Sequence, residues 1–423
     1  MALYNLTGVK REEIEEKEDK CLESYAIRSR NASRLYTNNY EPCPRRTEFE
    51  RDKDRIIYSR AFKRLMEKTQ VYLTNEGDHY TNRLSHTLEV TQIARSVAKT
   101  LGLNENLTEA IALGHDLGHT PFGHAVEDVL DKNLASEDGF EHNYQSVLVV
   151  DRLEVKKYYN EEAPCGLNLT NYTRYGILHH TKVKNKIKAY NWGNDCIAFS
   201  NEYRSIEAEL VNKIDTLTYC FHDLDDAIKN KNLLQDMKIN NRDLYENFLK
   251  ELNRYTEISC NVIGRTYERI EDLWKDYNPN NILKAMIHDL ITGTQKQIDK
   301  LKISSIDDVK NAPETIASFD VFKGEFENYK KNFITKYIYD APLICQMDTK
   351  AKLVAEKLYD SFKNNYKQLP YSTRTKFENA RNWDINLNRV DSGYSITPSR
   401  VVANYIAGMT DRYALENYKR MFD

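Results

Sequence analysis

Six of the ten histidines fall within one short stretch, at positions 79, 86, 115, 119, 124 and 142. Imidazoles gathered beside carboxylates are what a divalent metal or an acid–base site requires. His86 shares a helical face with Val90, Ile93 and Val97, so it points inward, where an imidazole must be hydrogen-bonded or metal-bound. His115 ends a stripe begun by Leu107 and Ile111, and Asp116 follows it directly. A helix end aiming His115 and Asp116 toward His86 supplies three ligands. Asp215, next to the apolar position Ile214, is the candidate for the fourth, with a structural salt bridge as the competing reading on spacing alone. Two neutral imidazoles and two carboxylates balance a divalent cation and leave positions open for water and a phosphate oxygen. The His-Asp dipeptide by itself says little, because it recurs at His222-Asp223 and His288-Asp289. The latter pair reads as an ordinary helix surface.

These residues need helices to position them. Ile206, Leu210, Ile214, Leu217, Phe221 and Leu224 recur at steps of three and four and trace one helical face. A second stripe runs Leu84, Leu88, Val97 and Leu101. A third follows Asn106, which reads as an N-cap with Glu109 at the capping-box position. Between them Gly118, Pro121 and Gly123 end one helix and start the next. Gln70 to Leu73 fits strand or loop. The region from about 231 to 395 reads as Lys/Asn/Asp-rich helix without a chemical motif. The fold class expected is all-α.

The chain has 423 residues, enough for a sizeable core, and its 61 basic and 64 acidic residues leave a net charge of −3. That balance excludes a polybasic, histone-like protein and an acidic solvating tail. Fifteen glycines and nine prolines are few for this length, which argues against turn-rich β folds and disorder. No apolar run reaches the roughly 18 residues of a membrane span. The first residues lack a signal-peptide pattern. Seven scattered cysteines without a CxxC suggest neither disulfides nor a thiolate zinc site, and a cytoplasmic location is expected.

Asn82-Arg-Leu-Ser-His86-Thr-Leu-Glu-Val90 and Ala110-Ile-Ala-Leu-Gly-His115-Asp116-Leu-Gly-His119-Thr-Pro-Phe-Gly-His124 resemble the HD superfamily. More narrowly, they resemble its dGTPase-like branch, the deoxynucleoside triphosphate triphosphohydrolases. Arg51–Ile57, Ala61–Leu65, Lys68–Val71, Gly139–Asn143, Gly166–Thr170 and Tyr405–Leu415 extend the likeness, whereas 231–395 carries little of it. Asn82 and Ser85 replace a common threonine pair and Gly114-His115 a frequent Ala-His, with no chemical group lost.

The resemblance implies an HD-domain fold with additional C-terminal helices: a catalytic core over 1–230, and a region over 231–423 packed on it rather than independent. It implies hydrolysis of a dNTP to the deoxynucleoside and inorganic triphosphate by water attack on the α-phosphorus. The metal quartet maps onto His86, His115, Asp116 and Asp215, for Mn²⁺ or Mg²⁺, with Fe²⁺, Co²⁺ or Zn²⁺ also suited to the donors. His124 and Glu127 map onto the catalytic pair, and His119 and His142 onto further active-site histidines. Gln70, Arg83, Tyr219 and Asp223 map onto positions that hold sugar and phosphates. A homo-oligomer, hexamer or tetramer, is expected, and single-stranded nucleic-acid binding stays open. The alternatives are an HD-type nucleotide phosphatase or phosphodiesterase, and an inert nucleotide sensor or nucleic-acid-binding regulator.

Overall fold

The computed structural model describes residues 8–35, 37, 41–70, 82–137, 139–154, 166–178, 201–229, 231–264, 279–385 and 396–423. His79 and positions 71–73 lie outside them. Among the described residues there is no β-strand, and extended pairing is limited to single bridges between Arg34 and Thr170 and between Thr69 and Asn82. The fold is all-α, as expected.

Helix α1 (Glu48–Ile57) opens with a reciprocal capping box between Thr47 and Glu50. Helix α2 (Arg83–Thr100) is capped by Asn82, whose side chain accepts from the Ser85 amide at 2.9 Å. Helix α3 spans Glu105–Gly114, and its cap is Asn104 rather than Asn106: the Asn104 side chain accepts from the amides of Asn106 and Leu107. With Asn104 as the cap, Leu107 takes the capping-box position, and the Glu109 carboxylate pairs instead with Lys53 and Arg95. Helix α4 is His124–Asn133, α5 is His142–Leu148, α6 is Asn171–Leu178 and α7 is Ile206–Lys229. Further on come α8 (Arg242–Val262), α9 (Pro279–Leu301), a π-helical stretch over Tyr329–Tyr339, α10 (Pro342–Asn364), α11 (Pro398–Ala407) and α12 (Asp411–Phe422).

Helix α2 packs on α3 and α7, and α3 also meets α1 and α6. The stripe read along α7 is buried from Ile206 to Leu224. On α2 the expectation fails in part, since Leu88 is 51% exposed. The buried face carries His86, Val90, Ala94 and Val97, and Leu88, two residues from His86, is turned to the far side. The largest core cluster joins α2, α3 and α7 to α8, α9 and the π-helical stretch. A second joins α4 to α10 and α11. The His288-Asp289 surface reading holds for His288, which is exposed, and fails for Asp289. Asp289 is 2% exposed and accepts backbone N–H bonds from Asp320, Val321 and Phe322, which fasten the chain after α9.

Glu207, at the start of α7, is fully buried and accepts from the amides of Ile27 and Asn104 at 3.1 and 3.2 Å. Burial pushes its carboxyl up to about 7, only partly countered by these amides. A carboxyl raised in the folded state stabilises below its unfolded value and loses that contribution as pH climbs through the folded one. The stability of Glu207→Gln relative to the unaltered chain should therefore grow from about pH 5 to about pH 8, as measured by thermal melts across that range.

Candidate metal centre

Three helices deliver four donor side chains to one point. His86 lies in the first turn of α2, His115 and Asp116 follow the last turn of α3, and Asp215 sits in the middle of α7. Donor atoms of His86, His115 and Asp116 lie within 4.8 Å of one another. Asp215 Oδ1 is 2.9 Å from His86 Nε2 and 3.3 Å from His115 Nε2, while Asp116 Oδ1 is 3.2 Å from His115 Nε2. His115 Nδ1 lies 2.7 Å from the Ala112 carbonyl, so this nitrogen carries the proton and Nε2 faces the carboxylates. The donor set therefore fits a divalent cation in ligand type, charge and convergence.

The electrostatics agree. Burial disfavours charge on His115, yet Asp116 and Asp215 more than offset it and lift its pKa to about 9. Burial dominates at His86, whose pKa falls. Burial also opposes ionisation of Asp215, but His115 and His86 hold it well below the usual carboxylate range. With both carboxylates charged, the point attracts a cation that competes with the proton on His115.

A second group stands beside this one. Glu127, one turn into α4, accepts from His124 Nδ1 at 2.9 Å and faces His142 Nδ1 at 2.9 Å. It also takes the backbone amide of His142 at the start of α5. The His119 ring stacks on His142 at 3.9 Å between centroids, and His119 Nε2 is 3.3 Å from Asp116 Oδ1. The His124 side chain is 75% exposed, so its free edge faces solvent. Burial works against the His142 imidazolium, but Glu127 overcomes it and raises the pKa. Among the described residues His119 makes no hydrogen bond to Glu127, and its carboxylate neighbour is Asp116. Burial, Arg83 and His142 push it well below the ordinary imidazole value.

The loop between α3 and α4 is fixed along its backbone. Gly118 donates to Ser146 Oγ at 2.8 Å, and a Cβ there would run into the His142 carbonyl and the Ser146 amide. Phe122 and Gly123 both adopt positive φ, 57° and 59°. Asp411 in α12 accepts from the Phe122 and Thr69 amides, while the buried Lys68 ammonium donates to the carbonyls of His119 and Ala407.

The remaining sequence candidates are found as follows. Arg83 is buried, and its Nη1 donates to Asp116 Oδ2 at 3.0 Å. Gln70 is half-buried, with its side-chain oxygen lacking a partner among the described residues. Tyr219 lies one turn beyond Asp215, and its ring meets Lys330 Nζ at 5.3 Å from the centroid. Asp223 is fully buried and accepts from the Tyr339 hydroxyl. Tyr339 escaped the sequence reading because the region around it carries no motif, and only packing brings it to α7. His222 was passed over with its dipeptide, yet it touches both His86 and Glu89.

Residues 83–220 match the HD domain and residues 327–420 the phosphohydrolase-associated domain. The chain is similar over nearly its whole length to proteins called deoxyguanosinetriphosphate triphosphohydrolase-like. That of Syntrophus aciditrophicus is 36% identical, covering 98% of this chain and 96% of its own. That of Rickettsia bellii is 37% identical, covering 95% and 98%, and that of Ralstonia nicotianae 39%, covering 90% and 89%. The chain belongs to the dGTPase-like branch of the HD-domain family. As a member it is a phosphohydrolase, with a His/Asp cluster able to hold a metal. Among the described residues no helix is long and apolar enough to cross a membrane.

Among the described residues, Asp215 bridges the two imidazoles from a third helix. Asp215→Ala should weaken Mn²⁺ binding to the metal-free chain by more than about 100-fold in calorimetric titration, beyond what losing an outer partner costs.

Proposed function

We propose that this phosphohydrolase cleaves a deoxynucleoside triphosphate, dGTP or several dNTPs, into the deoxynucleoside and inorganic triphosphate. The observation that carries the reading is the adjacency of the four-donor cluster to the Glu127-bridged pair, His124 and His142. The names of the relatives agree with it.

A divalent cation, Mn²⁺ or Mg²⁺, held by His86, His115, Asp116 and Asp215 would polarise a phosphoryl oxygen and lower the pKa of water. The chain's own residues do the rest. Arg83 stands against Asp116 with its guanidinium beside the cluster, where it meets phosphate charge. His124, held by Glu127 with its other nitrogen toward solvent, is the donor to the departing 5′-oxygen. His119, whose imidazolium is disfavoured chiefly by burial, stands beside Asp116 and offers a hydrogen bond there rather than a charge. Asp223 and Tyr339 form the polar end for the sugar 3′-hydroxyl, and the Tyr219 ring closes the side where a 2′-hydroxyl would project.

The test is incubation with each dNTP and rNTP plus Mn²⁺ or Mg²⁺, with products separated by ion exchange. Triphosphate with free deoxynucleoside is expected. Orthophosphate alone would make the chain a phosphatase of another kind, and no turnover with any nucleotide would point to a sensor.

The pH profile gives a second check. Glu127 raises the His142 pKa, so the His142 imidazolium, the ring beside the donor His124, persists to higher pH. Glu127→Gln removes that support. The alkaline limb of kcat should move to lower pH and kcat should fall by about 10²–10⁴-fold.

A further inference from the structure

His222 occupies the same helix as Asp215, two turns further on, and its imidazole meets His86 edge-on. The ring centroids are 5.5 Å apart at 80°, and the two Nδ1 atoms are 3.4 Å apart. On its other side His222 Nε2 lies 2.5 Å from Glu89 Oε2, one turn along α2 from His86. His86 and His222 are both buried, whereas the Glu89 side chain is about half exposed.

We propose that Glu89 and His222 are positioning residues for the metal ligand His86, forming a hydrogen-bonded line from solvent to the centre. The polarity follows from the inventory of donors and acceptors. The Glu89 carboxylate accepts only, so His222 Nε2 bears the proton. Neutral His222 then presents a lone pair at Nδ1 and accepts from His86 Nδ1–H. That leaves the His86 Nε2 lone pair facing the other three donors, which is the tautomer a metal needs. His115 obtains the same result from the Ala112 carbonyl. The two imidazole ligands thus have their remote nitrogens held by different means, one by local backbone and one by a line of side chains spanning α2 and α7. The carboxylate stands behind two rings and, through them, fixes the orientation of His86.

The proposal rests on the metal reading of the four-donor cluster, and the test separates the two. Metal-free protein is titrated calorimetrically with Mn²⁺, with circular dichroism on every variant. His222→Leu should bind Mn²⁺ about 10–100-fold more weakly than the unaltered chain. His222→Asn restores an acceptor near the Nδ1 position and should recover most of that loss. Glu89→Gln, on the half-exposed end, should give a smaller loss and keep the fold even where the buried variants do not. In turnover, both Glu89→Gln and His222→Asn should raise the Mn²⁺ needed for half-maximal rate while leaving KM for the nucleotide unchanged. No Mn²⁺ binding by the unaltered chain would overturn the metal reading itself. Tight binding by the unaltered chain, matched within about twofold by His222→Leu and Glu89→Gln, would overturn this proposal and leave the metal reading standing.

Discussion

One carboxylate oxygen carries the arrangement. Asp215 Oδ1 approaches His86 and His115 closely enough to touch both, and it does so only while α2, α3 and α7 keep their separations. Two carboxylates and two imidazoles buried together are costly unless each is paired or shares a cation. The surrounding packing is what pins these groups against that cost. Gly114 at the end of α3 and Gly176 in α6 leave space that Ile177 and Ile111 side chains occupy, so α3 and α6 approach closely there. A Cβ at either glycine would push α3 outward and carry His115 and Asp116 with it.

The helix after the loop is governed from elsewhere in the chain. Helix α4 buries Ala125, Val126, Val129 and Leu130 against α10 and α11. The loop that leads into it hangs from Asp411 and Lys68. The histidine-bearing loop is thus clamped between a segment near residue 68 and another near 411. Burial of Lys68 pulls its pKa down to about 7, with Arg64 adding to the fall, so its two carbonyl contacts are held by an ammonium under strain from its surroundings. The glycine at 123, with positive φ, lets the chain turn at this clamp without a Cβ meeting the Arg83 guanidinium.

The sequence was most readable where one helix decides the outcome. Periodicity on α7 identified its buried face from Ile206 to Leu224, and the histidine spacing pointed to the cluster. It was least readable where a partner decides. Leu84 and Leu88 made as good a stripe as Val90 and Val97, but only the second has α7 against it. Asn106 looked like a cap because it precedes an apolar run, and the competition was won by Asn104, whose side chain reaches two amides. Asp289 resembled a surface acid because nothing local reveals that three amides from residues 320–322 will fold onto it. Tyr339 and His222 belong to the same class. Each acquires its role from a contact more than 100 residues away in sequence, Tyr339 with Asp223 and His222 with both His86 and Glu89, and no spacing rule encodes that.

Three neighbouring histidines, His119, His124 and His142, also show how one residue type meets different surroundings. His119 and His142 stack at 3.9 Å, a separation at which two imidazolium ions would repel strongly in a buried setting. Glu127 settles the competition by facing His142 and not His119. Glu127 favours the His142 imidazolium, whereas on His119 burial acts first, with Arg83 and then His142 adding to the fall in pKa. Asp116 lies 3.3 Å from His119 Nε2, close enough for a hydrogen bond without needing the ring to be charged. A single carboxylate on the first turn of α4 therefore accepts from His124 and favours charge on His142, and it leaves His119 to burial and Arg83. Replacing His142 would remove only the lesser of the two leading charges that disfavour the His119 imidazolium, the Arg83 guanidinium being the larger.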